Sequence, residues 1–437
     1  MRGNGLPSTT GQERLGLDNF STFVGGELIS NLKFRKYIPM EFQIINGRII
    51  TPFEIIPSAS LLVKDGKVAS IDRHSRPLEN IRQIDAKGRY VSPGFVDIHV
   101  HGGGGFDFMD GEVEGFLKIA ELHAAYGTTS MVPTTLTSDQ SHLFHTLDTY
   151  EMALRENRNG ASFLGLHLEG PYFAMNQRGA QDPRFIRDPN PKEYEPILER
   201  SHLINRWSAA PERAGALQFG KRLRECGVLA AIAHSDAVYE EVVAAVEHGY
   251  SLSTHLYSGM SGVTRRNAFR FAGVIESSLL LDELDVEVIG DGVHLPAPFL
   301  KLIYKVKGPD KIALITDAMR AAGTEATESV LGPKENGLKV IVEDGVAKLP
   351  DRSSFAGSVA TCDRLVRTLC KEADLPLVQV IRMMCTTPAR ISGVSDRKGT
   401  ITVGKDADIV IFDDDIRVAH TFVEGRHVFS SSEHKIR

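Results

Sequence analysis

One repeating pattern in the middle of the chain constrains the fold most. Strand-like apolar runs stand at 94–99, 128–133, 162–168, 203–209, 228–233, 251–255, 286–290 and 312–316. Helical stretches fall between many of them: "EGFLKIAELHAAYG", "AGALQFGKRLRECG", "AVYEEVVAAVEHG" and "APFLKLIYKVKG". Such alternation favours an α/β fold, a parallel sheet with crossover helices. Eight candidate strands favour a closed (β/α)8 TIM-like barrel over an open doubly wound sheet. No Gly-x-Gly-x-x-Gly follows the first run, and "HGGGGF" does not open a dinucleotide-binding helix. Both chain ends differ from this middle. Segments such as "FQIINGRII" and "ASLLVKDGKVASID" near the start, and "TITVGKDADIVIFDDDIRVAHTFVEGRHVF" near the finish, are β-rich with tight-turn signals. The expected division is an N-terminal extension over 1–41, the first part of a β-domain over 42–92, the barrel over 93–395 and the second part of the β-domain over 396–437. The β-domain is expected to be a small sandwich built from both ends.

The chemistry collects where the runs end. "VDIHVHGGGG" places His99 and His101 two apart, so on a strand both rings point the same way. The glycines behind them leave room for a ligand. The third run ends at Glu169, the fifth at His234, the sixth at His255, the seventh at Asp291 and His294, and the eighth at Asp317. Singly, each has a bland account: Asp317 as a helix cap, His255 as a core ring, Glu169 as a turn cap. Jointly they form a ring of N and O donors on the face where barrel enzymes keep their active sites, a set suited to Zn²⁺ or Fe²⁺. His167 shares a face with Glu169 and is assigned a supporting or packing role. His123, His142, His145 and His248 lie in helical stretches and are taken as structural.

The motifs "PGFVDIHVHG", "GLHLEGPY", "AHSDA", "STHLYSGM", "GDGVHLP", "ITDAMRAAG", "FAGSVAT" and "TTPARISG" occur in order along most of the chain. They resemble the amidohydrolase superfamily and, within it, the N-acetylglucosamine-6-phosphate deacetylases. The resemblance implies removal of the N-acetyl group from N-acetylglucosamine-6-phosphate, giving glucosamine-6-phosphate and acetate. It implies that Glu169, His234 and His255 hold the principal divalent metal, with Asp317 as catalytic acid/base. His99 and His101 would form a second, family-variable site. Ala180, Gln181, Ser258, Gly259, Arg266, Asp291, His294, Phe355, Ala356 and Gly357 would line the sugar-phosphate site. Two positions depart from the family: Ser258-Gly259 stand where Asn-Ala is common, and Gln181 where a histidine is frequent. A related substrate such as N-acetylgalactosamine-6-phosphate is therefore an alternative, as is a catalytically inactive binding protein. A cyclic-amide hydrolase of the superfamily commonly carries a lysine where this chain has Glu169.

The net charge of −6 argues against nucleic acid or an anionic membrane as partner. No apolar run approaches the ~18 residues of a membrane span. Cys226, Cys362, Cys370 and Cys385 form no C-x-x-C pair and suit a reducing compartment. Residues 1–40 carry no leader pattern, and the cytoplasm is the expected location. The expected partners are a small amino-sugar phosphate and a second copy of the chain in a homodimer.

Overall fold

The computed structural model describes residues 41–431. The expectations for the extension over 1–40 and for 432–437 lie outside the described residues. The middle of the chain holds parallel strands β1 (Phe95–Val100), β2 (Thr128–Pro133), β3 (Leu166–Glu169), β4 (Ile204–Ala209), β5 (Leu229–Ile232), β6 (Tyr250–Ser253), β7 (Asp285–Ile289) and β8 (Ile312–Ile315). β3 to β8 pair in chain order, every pair parallel. β1 pairs with β2, also parallel. Single parallel bridges link the two groups, Thr134 to His167 and Val100 to Ala318. β1 and β2 are buried along their whole length, including their polar members Asp97, His99, Thr128, Thr129 and Ser130.

Helices lie between the strands and bury one face each. In the helix Val113–Ala125 the buried residues Phe116, Ile119, Ala120, His123 and Ala124 follow helical spacing. The helix Gln140–Glu156 starts at Asp139, whose carboxylate accepts the His142 N–H at 2.9 Å. This is an α/β fold. Among the described residues no helix is long and apolar enough to cross a membrane.

Two local expectations need correction. The run 162–168 is not one strand. Gly165, at φ +101°, packs where a Cβ would lie 2.9 Å from the Asn205 nitrogen. Ser162–Phe163 pairs with β2 before that break, and β3 follows it. Nor do the first two glycines after His101, Gly102 and Gly103, leave space for a ligand. A Cβ on Gly102 would meet the Phe106 carbonyl oxygen at 2.2 Å, and the segment folds back as the pair Gly102–Gly103 with Phe106–Asp107.

The chain ends share one sheet. Tyr90–Pro93 runs antiparallel to Ile409–Phe412, joining the strands Glu41–Ile50 and Ile55–Lys64 to Val418–Val423 and Arg426–Ser430. Its core includes Phe42, Leu61, Val63, Ile409, Ile411 and Phe422. Below it the buried Lys398 ammonium pairs with Asp408 at 2.7 Å and Asp406 at 3.3 Å. After β8 the chain also inserts an antiparallel sheet of Glu328–Leu331, Leu338–Glu343, Val346–Lys348 and Phe355–Ser358. This sheet lies outside the strand-like runs expected from the sequence.

Candidate metal centre and its cavity

Three of the strand-end residues leave the extended path. His234, His255 and Asp317 adopt φ of +48°, +32° and +50°, the left-handed region that non-glycine residues avoid. Each such residue costs on the order of 1 kcal/mol or more, and such strain gathers at functional sites. Here His234 and His255 flank one carboxylate, and Asp317 stands against two further imidazoles. Glu169 Oε1 lies 2.9 Å from His255 Nε2, 3.3 Å from His234 Nε2 and 3.7 Å from His99 Nε2. Its Oε2 lies 3.4 Å from His101 Nε2 and accepts a hydrogen bond from Gln181 Nε2 at 2.9 Å. Asp317 Oδ1 stands 3.2 Å from His101 Nε2 and 3.5 Å from His99 Nε2. All seven residues are buried.

Polar contacts beneath the centre orient the rings. His234 Nδ1 donates to the Gln177 carbonyl oxygen at 2.7 Å, which leaves Nε2 to face Glu169. His99 Nδ1 lies 3.1 Å from Glu287 Oε2, and Glu287 Oε1 is paired with the fully buried Arg206. Arg206 also donates to His167 Nδ1 at 2.9 Å, and His167 Nε2 bonds Ser208 at 2.7 Å. His167 therefore sits under the centre, its ring edge-on to His99 with centroids 4.7 Å apart.

The charges are strongly coupled. Burial would lower His99, but Asp317 and Glu169 outweigh it and hold the ring up at about 10. Burial would raise Glu169 and Asp317, but His99 and its neighbours hold both carboxylates low. Two overlapping donor groups result, His99–His101–Glu169 and Glu169–His234–His255. Nε2 of His99 and Nε2 of His101 face each other at 3.3 Å beside two carboxylates. Buried imidazole nitrogens and carboxylate oxygens converging in this way fit a divalent cation.

The centre forms the floor of a cavity of about 570 Å³, within the range of small-molecule sites. Ala180, Gln181, Ser258, Gly259, His294, Phe355 and Gly357 line it, with His101, Glu169, His234, His255 and Asp317. Asp291 and Ala356 do not. Asp291 instead accepts from His294 Nδ1 at 2.8 Å, and Ala356 packs in the apolar cluster behind the wall. Arg266 also lies outside. It is exposed on the hairpin Thr264–Arg266 with Phe269–Phe271, its guanidinium 5.3 Å from the Phe271 ring centroid. Sequence reasoning missed Glu287 and Arg206 below the metal ligands, and Lys348 and Arg352 on the cavity wall. An acid inside the apolar run "VEVIG" was the available signal for Glu287.

Residues 90–428 match the amidohydrolase family, and the chain belongs to it: the protein is an enzyme of the amide-hydrolysing class. An N-acetylglucosamine-6-phosphate deacetylase of Lysinibacillus sphaericus is 33% identical, over 83% of this chain and 92% of the relative. One of Bacillus subtilis (strain 168) is 32% identical, over 88% and 96%. The crystal structure of the N-acetylglucosamine-6-phosphate deacetylase from Pasteurella multocida superposes with a TM-score of 0.83 at 29% identity, covering 90% of this chain and all of that one. Within the amidohydrolases the chain stands among the N-acetylglucosamine-6-phosphate deacetylases.

Proposed function

We propose that this enzyme hydrolyses the acetamide of N-acetylglucosamine-6-phosphate to glucosamine-6-phosphate and acetate, in the cytoplasm. The observation that carries the reading is the convergence of four imidazole edges on Glu169, with Asp317 against two of those rings, at the floor of a sugar-sized cavity. Glu169, His234 and His255 would hold the principal metal, Zn²⁺ or Fe²⁺, and His99 with His101 a second, shared through Glu169. Such an ion supplies Lewis-acid polarisation of the amide carbonyl and acidifies the attacking water. Asp317 takes the proton of that water, a task suited to a carboxylate held ionised at neutral pH. It returns the proton to the amide nitrogen, because an amine leaves only once protonated. His294, steadied by Asp291, donates to the carbonyl oxygen as negative charge develops there. Gln181 holds Glu169 in place.

The scaffold for this chemistry is read as a closed (β/α)8 barrel with a small β-sandwich from the chain ends. Support comes from the bridges at both seams between the parallel groups and from one apolar cluster. That cluster joins Val96 of β1, Val132 of β2, Ala231 of β5, Leu252 of β6, Ile289 of β7 and Ile315 of β8. The four cysteines are free thiols, in keeping with a reducing compartment. A homodimer is supported by the apolar residues Val263 and Phe269 exposed at the hairpin that carries Arg266.

The test is acetate release from N-acetylglucosamine and N-acetylgalactosamine, each with and without the 6-phosphate, on protein refilled with Zn²⁺ or Fe²⁺. The glucosamine 6-phosphate ester is expected to turn over fastest. Faster turnover of the galactosamine ester would reassign the substrate, and no release from any sugar would refute the reading.

A further inference from the structure

We propose that the buried pair Arg206 and Glu287 is the positioning device of the second metal site, with Glu287 fixing His99 as a ligand and Arg206 fixing Glu287; this rests on the two-metal part of the reading above. Four rings face Glu169, and their far nitrogens are not treated alike. His234 Nδ1 donates to a neutral group, the Gln177 carbonyl oxygen. Nδ1 of His101 and Nδ1 of His255 meet no hydrogen-bond partner among the described residues. Of the four, His99 is the ring whose far nitrogen lies against a carboxylate, Glu287 Oε2 at 3.1 Å. A carboxylate there holds the proton on Nδ1, leaves Nε2 bare for a cation and makes it more basic.

Both side chains of the pair are fully buried, and apolar residues of similar volume commonly serve stability as well or better in such a place. What the pair adds is direction. The hydrogen-bonding neighbours of the Glu287 carboxylate are all donors. Oε1 takes the Arg206 guanidinium, and Oε2 takes His99 Nδ1–H together with the His255 backbone N–H at 3.3 Å. An ionised carboxylate is the side chain that accepts on both of its atoms. Arg206 is anchored in turn, because it also donates to His167 Nδ1 at 2.9 Å. The far side of that ring is closed by Ser208 at 2.7 Å, and Ser208 by Thr254 at 3.0 Å. The group of Glu169, His234 and His255 depends less on the Glu287 side chain. Its neighbour Leu256 donates its N–H to the Glu287 main-chain carbonyl oxygen at 2.9 Å, a bond that a side-chain substitution leaves in place.

The experiment titrates Zn²⁺ into metal-stripped protein against a chromophoric chelator and follows urea unfolding of the metal-free protein. It compares the wild type, Glu287→Gln and the double variant Arg206→Met, Glu287→Leu, with His99→Gln, His101→Asn marking which affinity belongs to the second site. Glutamine at 287 sets an amide N–H against a donor whichever way it turns. The second-site affinity is expected to fall roughly 10–100-fold in both variants, the usual scale for losing an orienting partner, while the first-site affinity holds. The metal-free double variant is expected to unfold at the same urea concentration as the wild type or a higher one. A merely structural pair gives the reverse, a destabilised metal-free protein with both affinities intact. Glu287→Gln keeps the side chain's size, so it keeps the test open should the double variant fold poorly. Unchanged second-site affinity in a folded Glu287→Gln protein, or both affinities lowered alike, would overturn the proposal. Wild-type protein that binds one Zn²⁺ overturns the two-metal reading, and the proposal with it. Wild-type protein that binds two Zn²⁺ and releases no acetate refutes the deacetylase reading, and the titration then decides this proposal by itself.

Discussion

The two oxygens of Glu169 face different partners, Oε1 towards His234, His255 and, farther off, His99, and Oε2 towards His101. One carboxylate can thus serve two cations, since each oxygen keeps its own lone pairs. The double change His99→Gln, His101→Asn removes one side of this arrangement and leaves the other. Metal analysis of refilled protein should show two ions per chain in the wild type and one in the variant, with part of the activity kept. One ion in both proteins would make the pair a packing feature. Asp317 is separable from metal binding in the same way. Asp317→Asn keeps the size of the side chain and removes the base, so metal content should hold while turnover drops roughly 10²–10⁴-fold. Near-normal turnover in a metal-loaded variant would remove Asp317 from the proton relay.

The loops that leave the strands convert a sheet into a site. Gly259, in the loop after β6, has φ +58°, and a Cβ there would stand 2.7 Å from His234 Nδ1 and 2.8 Å from the Gln177 carbonyl oxygen. Gly259→Ala would therefore break the hydrogen bond that orients His234. Metal affinity should fall about 10–100-fold, the usual scale for losing an orienting partner, with the far-ultraviolet circular dichroism unchanged. An unaltered metal titration would mean that the loop has room. At this scale the sequence was informative where chemistry and periodicity coincide. The runs that end in histidine, glutamate and aspartate give β1, β5, β6, β7 and β8 their places. The sheet between Glu328 and Ser358 went unread, although "LKVIVEDGVAK" sets two strand-like runs around a tight Asp344-Gly345 turn. Lys348 and Arg352 were hidden with it. Glu287 and Arg206 were hidden for another reason: a buried ion pair between β4 and β7 is a contact between distant residues, and local pattern carries no record of it.

At the scale of the whole molecule, Lys398 ties the last turns of the α/β unit to the sheet of the chain ends. Its ammonium meets Asp408, Asp406 and Glu424. Burial would lower its pKa, but these carboxylates outweigh burial and raise it. A raised lysine stabilises fully below its unfolded pKa and loses that contribution only as pH climbs through the folded value. Lys398→Met leaves buried carboxylates without their cation and should cost about 3–5 kcal/mol at pH 7, read from urea unfolding. The gap to the wild type should stay level through neutral pH and close in strong alkali. A variant as stable as the wild type would mean that water or rearrangement replaces the cation. The shared sheet has one more consequence, for the order of events during synthesis. Tyr90–Pro93 finds its partner strand Ile409–Phe412 only after about 300 further residues have been made, roughly 15–60 s at about 5–20 residues per second. Until then the nascent chain emerges with the apolar face of Ile49, Leu61 and Val91 lacking Ile409, Ile411 and Phe422 to cover it. For that interval the first strands present an unpaired edge, the state in which a growing polypeptide most needs a chaperone.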